Sequence, residues 1–134
     1  MTFEDALVER TKAIALVASR CGGRVGWDPR LEGEPAIVFQ IVNDARPQHY
    51  KGFQRLRATA VQVDIWSADP SEAVALREAV IADLVQPMVV GAIRFQRAMI
   101  GNVRSATNPN QSTSQRFRDA LARESIDFSF LHNA

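Results

Sequence analysis

The sequence predicts an α+β domain built on a mostly antiparallel or mixed sheet of four to five strands, with two amphipathic helices on one face. Two stretches carry apolar residues at helical spacing, several others alternate apolar and polar residues as half-buried strands do, and turn-forming residues separate them. The predicted order is α-β-β-α-β-β, within a single domain over residues 1–134.

The first helix is predicted from Phe3 to Arg20. Thr2 stands three residues before Asp5, as in a capping box, and apolar residues then recur at helical spacing until a Gly-Gly pair ends the pattern. The segment around Val25 is compatible with at most one short additional strand.

Strands are predicted at Ala36–Val42 and Arg55–Trp66, and the polar segment Asn43–Gln54 between them is predicted to be a loop or the tip of a long hairpin. The first strand is rich in β-branched and aromatic residues and follows a proline, which favours extended backbone. The second strand alternates strictly. Its buried face is expected to consist of Thr59, Val61, Val63 and Ile65.

The second helix is predicted over Pro70–Val85. Asp69 suits the cap, Pro70 the first turn, and Glu72 completes a capping-box pattern. The apolar stripe that should face the sheet consists of Ala73, Leu76, Val80 and Leu84.

The last third of the chain predicts a strand at Ala92–Ile100 and a final strand around Ile126–Phe130, because both alternate. Between them, Gly101–Gln115 is rich in Asn, Pro, Ser and Thr and is expected to be a long loop.

Composition excludes several classes of protein. The longest apolar runs are six residues, far below the roughly 20 that a membrane-spanning helix needs. The acidic N-terminus is unlike a signal peptide, so we expect a protein made and kept in the cytoplasm. A single cysteine and two scattered histidines cannot form an internal disulfide or a zinc-binding pattern.

Residues suited to catalysis are few, and each has a plainer interpretation. Cys21 is expected to be a buried residue at a helix end, His49 a loop residue in a surface contact, and His132 a solvated residue near the C-terminus. Asp64 is expected to form an ion pair with an arginine of a neighbouring strand. We therefore predict no enzymatic activity, no metal and no cofactor.

Charge is segregated along the chain, although the formal net charge is only +1. The segments 1–44 and 67–86 are acidic, whereas 45–66 and 87–134 are basic. Such a pattern suits contacts between subunits, a solvated surface or a nucleic-acid groove. Arg94 and Arg97 should point to opposite faces of one strand, which argues against a single basic stripe for nucleic acid.

Several motifs follow one another in a recognisable order along the chain. They are the Gly22-Gly23-Arg24-Val25 turn, the Pro35–Gln40 strand, Val63–Ser67, the helix pieces Ser71–Ala73 and Leu76–Val80, and the Arg123–Phe130 strand. This order resembles the tail-completion, or tail-terminator, proteins of long-tailed bacteriophages and related prophages over nearly the whole chain. The polar run Asn102–Gln115 has no counterpart in that pattern.

The resemblance implies a structural subunit of the virion, assembled in the host bacterial cytoplasm. It implies a ring, usually of six copies, at the head-proximal end of the tail tube, which ends tube polymerisation and offers a surface for joining the head. The implied partners are other copies of the chain, the major tail tube protein and a head-completion or connector protein, with DNA only passing through the lumen and no membrane. Another connector component, or a small nucleic-acid-binding module, are the alternative interpretations.

Two sets of residues follow as candidates for these contacts. Partner-contact loops are predicted at Arg46, His49, Tyr50, Lys51, Phe53, Arg104, Asn108 and Arg116. Charges between neighbouring subunits are predicted at Arg55, Arg57, Glu72, Glu78 and Asp83.

Overall fold

The structure is a computed structural model that describes residues 2–27, 33, 35–45, 48–49, 52–53, 56–106 and 122–133. Three helices and nine strands occur within these ranges. The helices are α1 (Phe3–Lys12), α2 (Ala15–Arg20) and α3 (Pro70–Leu84). The strands are β1 (Val25–Trp27), β2 (Ala36–Ala45), β3 (Gln48–His49), β4 (Gly52–Phe53), β5 (Leu56–Ser67), β6 (Met88–Val90), β7 (Ile93–Phe95), β8 (Met99–Ala106) and β9 (Ala122–Asn133).

Seven strands form one curled sheet, in the order β1-β2-β5-β9, after which β9 pairs with β8 along most of its length and with β7 near its end. β6 continues the sheet beyond β7, and β3 and β4 form a separate hairpin. All pairings are antiparallel except β1 with β2. The α+β class and the mostly antiparallel sheet are confirmed, but the predicted count of four to five strands is too small and the predicted order is incomplete.

The helices pack against one face of the sheet. Side chains from all three helices share a hydrophobic core with the inward-facing residues of β2, β5 and β9. The predicted buried face of β5 is confirmed, since Thr59, Val61, Val63 and Ile65 are all at most 1% exposed. The apolar stripe of α3 is buried as predicted.

The predicted first helix is two helices. α1 begins with the expected capping box, in which the Asp5 amide donates to the Thr2 hydroxyl at 3.1 Å and the Thr2 amide donates to the Asp5 carboxylate at 3.3 Å. It ends at Lys12 because Ile14 adopts an extended conformation and caps α2. No glycine or proline marks this break, so apolar spacing alone gave no sign of it.

The α3 cap follows the prediction only in part. The Asp69 carboxylate accepts the Ser71 amide at 2.9 Å, but Glu72 does not close a capping box. Its carboxylate instead accepts the Ser67 hydroxyl at 3.0 Å, and it lies 3.5 Å from the Arg20 guanidinium. Glu72 therefore links α3 to β5 and α2.

The predicted strand at Ala92–Ile100 and the loop after it are also corrected. The chain leaves the sheet at residues 96–98, where the Ala98 amide donates to the Val85 carbonyl at 3.1 Å. It then re-enters as β8, which occupies the first residues of the predicted loop, up to Ala106, while the rest of that predicted loop lies outside the described residues. β8 accommodates Gly101 and Asn102 because its pairing with β9 shifts register between Ile100 and Val103, as at a β-bulge.

Candidate interaction surfaces

The sheet has an open face, defined as the side of β2, β5, β8 and β9 opposite the helices. Register and strand alternation place Gln62 and Asp64 of β5 on this face, beside Ser125 and Asp127 of β9. A shallow groove of about 380 Å³ crosses it. Residues of the open face that line the groove are Val42, Ala60, Gln62, Gly101, Arg104, Asp127 and Ser129.

Polar groups on the open face are bonded to each other. The Asp64 carboxylate accepts hydrogen bonds from the Ser125 hydroxyl at 2.5 Å and from the Gln62 amide at 3.0 Å. The expected ion pair between Asp64 and a neighbouring arginine is wrong for the part of the chain that the structure describes. Hydroxyl and amide donors satisfy this buried carboxylate instead.

Arg104 is the predicted contact residue whose side chain the structure describes. Its guanidinium meets the Asp127 carboxylate in a two-point contact, at 2.8 and 3.3 Å. This contact raises the pKa of Arg104, mainly through the hydrogen bond. Arg104 remains 47% exposed in its side chain, so a partner can still contact it.

The other predicted contact loops lie outside the described residues, at Arg46, Tyr50, Lys51, Asn108 and Arg116. For His49 and Phe53 the structure gives backbone placement in the β3–β4 hairpin, where Gln48 pairs with Phe53 and His49 with Gly52. These sites therefore stay predictions.

The charges predicted between subunits have partners within the subunit, except that Arg55 lies outside the described residues. Each acid of α3 contacts an arginine, and Arg57 binds Asp44. The pairs are Arg57–Asp44 at 2.6 Å, Arg20–Glu72 at 3.5 Å, Arg77–Glu78 at 2.7 Å and Arg10–Asp83 at 3.0 Å.

Arg10 joins α1 to the C-terminal end of α3. Its side chain is fully buried, contacts the Asp83 carboxylate and carbonyl, and donates to the Gln86 carbonyl at 2.7 Å. Its guanidinium also lies 5.1 Å from the Phe95 ring centre. A cation at this position donates to the Gln86 carbonyl, adds a second donor to the Asp83 carbonyl, which already accepts the Gln86 amide at 3.1 Å, and opposes the negative end of the helix dipole.

His132 is buried, so the expectation of a solvated histidine is wrong. β9 continues to Asn133, and the imidazole stacks on the Phe3 ring at 4.0 Å. Nε2 lies 2.8 Å from the Thr59 hydroxyl, and Nδ1 donates to the Asn133 carbonyl at 2.7 Å. A hydroxyl beside an imidazole is the arrangement of a nucleophile and its base, but both groups are at most 1% exposed and no substrate can reach them.

Burial lowers the pKa of His132 below its ordinary 6.5, and nearby Arg57 adds to the effect. The folded protein therefore holds a neutral imidazole, whereas the unfolded chain takes up a proton below pH 6.5. We expect stability to be full above pH 6.5 and to fall as the pH drops from there toward the lower folded-state pKa. Urea unfolding midpoints measured from pH 7.5 down to about pH 5 test this. His132→Gln should flatten the dependence, and an unchanged slope in that variant would contradict the assignment.

Cys21 is buried as predicted, and burial raises the pKa of its thiol to about 11. Among the residues in the described ranges, no cluster of three or more His, Cys, Asp and Glu has the arrangement of a metal site. No helix within those ranges is long and apolar enough to cross a membrane.

The sequence matches no protein-family model and no curated protein. The fold is similar to that of a chain in the virion of a native gene transfer agent particle, with a TM-score of 0.72 and 15% sequence identity. The likeness covers 98% of this chain and 95% of that chain. At this identity the likeness shows that the two chains share a fold.

Proposed function

We propose that this chain is a structural virion protein that forms a ring of six copies at the head-proximal end of a phage-type tail tube. The ring ends tube polymerisation and provides the surface to which the head joins. Its partners are other copies of the chain, the major tail tube protein and a head-completion or connector protein, and DNA only passes through the lumen. No cofactor or catalytic step is part of this function.

The observation that carries the proposal is the end-to-end likeness to a chain of the gene transfer agent virion. A likeness covering nearly all of both chains concerns the entire arrangement of elements, not one common supersecondary motif. The tail-terminator resemblance in the sequence supports the same function from separate features, namely the turn, strand and helix motifs.

The surfaces described above also suit a ring. A closed ring is built from heterologous contacts, in which two different surfaces of each subunit meet. The helices cover one side of the sheet, whereas β8, the Gln40–Asn43 end of β2 and the Ser129 part of the open face are exposed. Exposed apolar side chains concentrate on these uncovered strands, where a neighbouring subunit would bury them.

Light scattering over a range of protein and salt concentrations, followed by negative-stain imaging, tests this function. We expect a particle of about six times the 14.9 kDa chain mass, with a central hole. A monomer that also fails to bind purified tail tubes would contradict the proposal. DNA binding that weakens steeply with salt would favour the nucleic-acid-binding alternative.

A further inference from the structure

Two strand segments at opposite edges of the sheet are exposed on both faces. In β8, every residue from Met99 to Ser105 is exposed, and in β2 the same is true from Gln40 to Asn43. The central strand β5 instead buries alternate residues, as expected for a strand covered on one side. An exposed, apolar edge strand is a template for pairing with another strand.

Both segments have a free edge among the described residues. β1 pairs with β2 only at Ile37–Phe39, so Gln40–Asn43 has β5 on one side and no described strand on the other. Among the described strands, β8 pairs with β9 alone. The outer backbone N–H and C=O groups of these two segments therefore have no partner strand within the described ranges, and another strand can bond to them.

The two edges lie at the same level of the sheet and run in opposite directions. Register places Asn43 of β2 beside Ala60, Ala60 beside Ser129, and Ser129 beside Met99 of β8. Three successive antiparallel pairings make β8 antiparallel to β2. A copy placed beside another in the same orientation would therefore set β8 antiparallel to β2 of its neighbour.

We propose that β8 of one copy pairs with the Gln40–Asn43 segment of the next copy, so that the sheet continues from subunit to subunit. This inference rests on the proposed ring and names its contact. Val42 and Met99 border the open face at the two edges and are 65% and 70% exposed, so the pairing brings two large apolar side chains together.

Charge and symmetry disfavour pairing of like edges. Arg97, just before β8, is exposed and has no ion pair among the described residues, and β8 itself carries Arg104. Pairing β8 with a second β8 would bring these arginines together, and it would close a dimer rather than a ring. The Gln40–Asn43 segment carries no charged residue, so pairing β8 with it opposes no arginine.

Cysteine cross-linking tests the contact directly. The natural Cys21 is buried and its thiol has a raised pKa, so it should react little. With a short bis-maleimide, the double variant Val42→Cys/Met99→Cys should give a ladder of covalent oligomers ending at the ring. Each single variant alone should stay uncross-linked, and an equal mixture of the two single variants should give dimers.

Failure of this contact is distinguishable from failure of the ring. Absence of the ladder while light scattering still shows a ring would overturn the edge pairing alone. Strong dimers from either single variant would overturn it in favour of like-edge pairing. A protein that neither cross-links nor assembles, even on tail tubes, would overturn both proposals.

A matched pair of substitutions gives a second readout. Val42→Lys places a charge in the contact and should abolish the ring, whereas Val89→Lys changes a valine of similar exposure, 62%, on β6 outside the contact. Both variants should unfold at wild-type urea concentrations. Loss of the ring in both variants, or in neither, would contradict the assigned contact.

Discussion

Phe130→Ala is expected to lower the free energy of unfolding by about 4 kcal/mol, the largest effect on stability that we predict. Phe130 lies at the centre of an aromatic cluster on the helix-covered face. Its ring centre is 5.3 Å from Phe128, 5.7 Å from Phe3 and 5.9 Å from Phe95. Truncation would remove these contacts and leave a cavity where α1, β7 and β9 meet.

Urea unfolding followed by circular dichroism measures this loss. Because a domain of this size has roughly 5–15 kcal/mol in total, the variant should be partly unfolded at modest urea concentration. Phe130→Leu keeps most of the volume and should cost less than about 1.5 kcal/mol. Equal costs for the two variants would contradict a tightly packed aromatic cluster.

Arg10→Met is expected to cost about 3 kcal/mol, because it removes a fully buried guanidinium that pairs with the partly buried Asp83 carboxylate and donates charge-assisted hydrogen bonds to two carbonyls. Methionine retains the length of the side chain but cannot contact the Asp83 carboxylate or donate to the Asp83 and Gln86 carbonyls. The Gln86 carbonyl then loses its Arg10 donor, while the Asp83 carbonyl keeps only the Gln86 amide. Unfolding in urea gives the change in free energy, and the slope of the transition should stay the same.

Arg20→Met is the control for the effect of charge. Arg20 is 57% exposed in its side chain and lies 3.5 Å from Glu72, so removing this surface pair should cost less than about 1 kcal/mol. A cost at Arg10 as small as that at Arg20 would show that the buried guanidinium does not hold α1 to α3.

Where local pattern and tertiary position agree, the fold was predictable from the sequence. β5 alternates because one side faces the helices, and α3 begins at Pro70 because Asp69 caps it. The Gly22 turn was also readable, since its φ of 58° is the left-handed conformation that glycine favours after a helix.

Other features depend on contacts between residues far apart in sequence. β8 passes through Gly101 and Asn102 only because β9 tolerates a register shift there. His132 is buried because Phe3, at the other end of the chain, stacks on it. No local pattern contains either contact.

The candidate surfaces were predictable in kind but not in detail. The charge pattern of the sequence correctly predicted that α3 is acidic. It did not predict that each acidic side chain of α3 has an arginine partner within the subunit, because these pairs depend on how the helices pack. The sequence did not indicate that two strand edges are exposed. Residues 40–42 belong to a stretch that predicts a central strand, and residues 99–106 combine apolar with turn-forming residues, which predict a loop from Gly101.

Electron microscopy of tail tubes assembled with and without this protein tests the central claim most directly. We expect that adding the protein stops tube growth and leaves a ring at one end of each tube, whereas tubes with the Val42→Lys variant continue to elongate. Tubes of unchanged length that carry no ring, formed in the presence of folded wild-type protein, would contradict it.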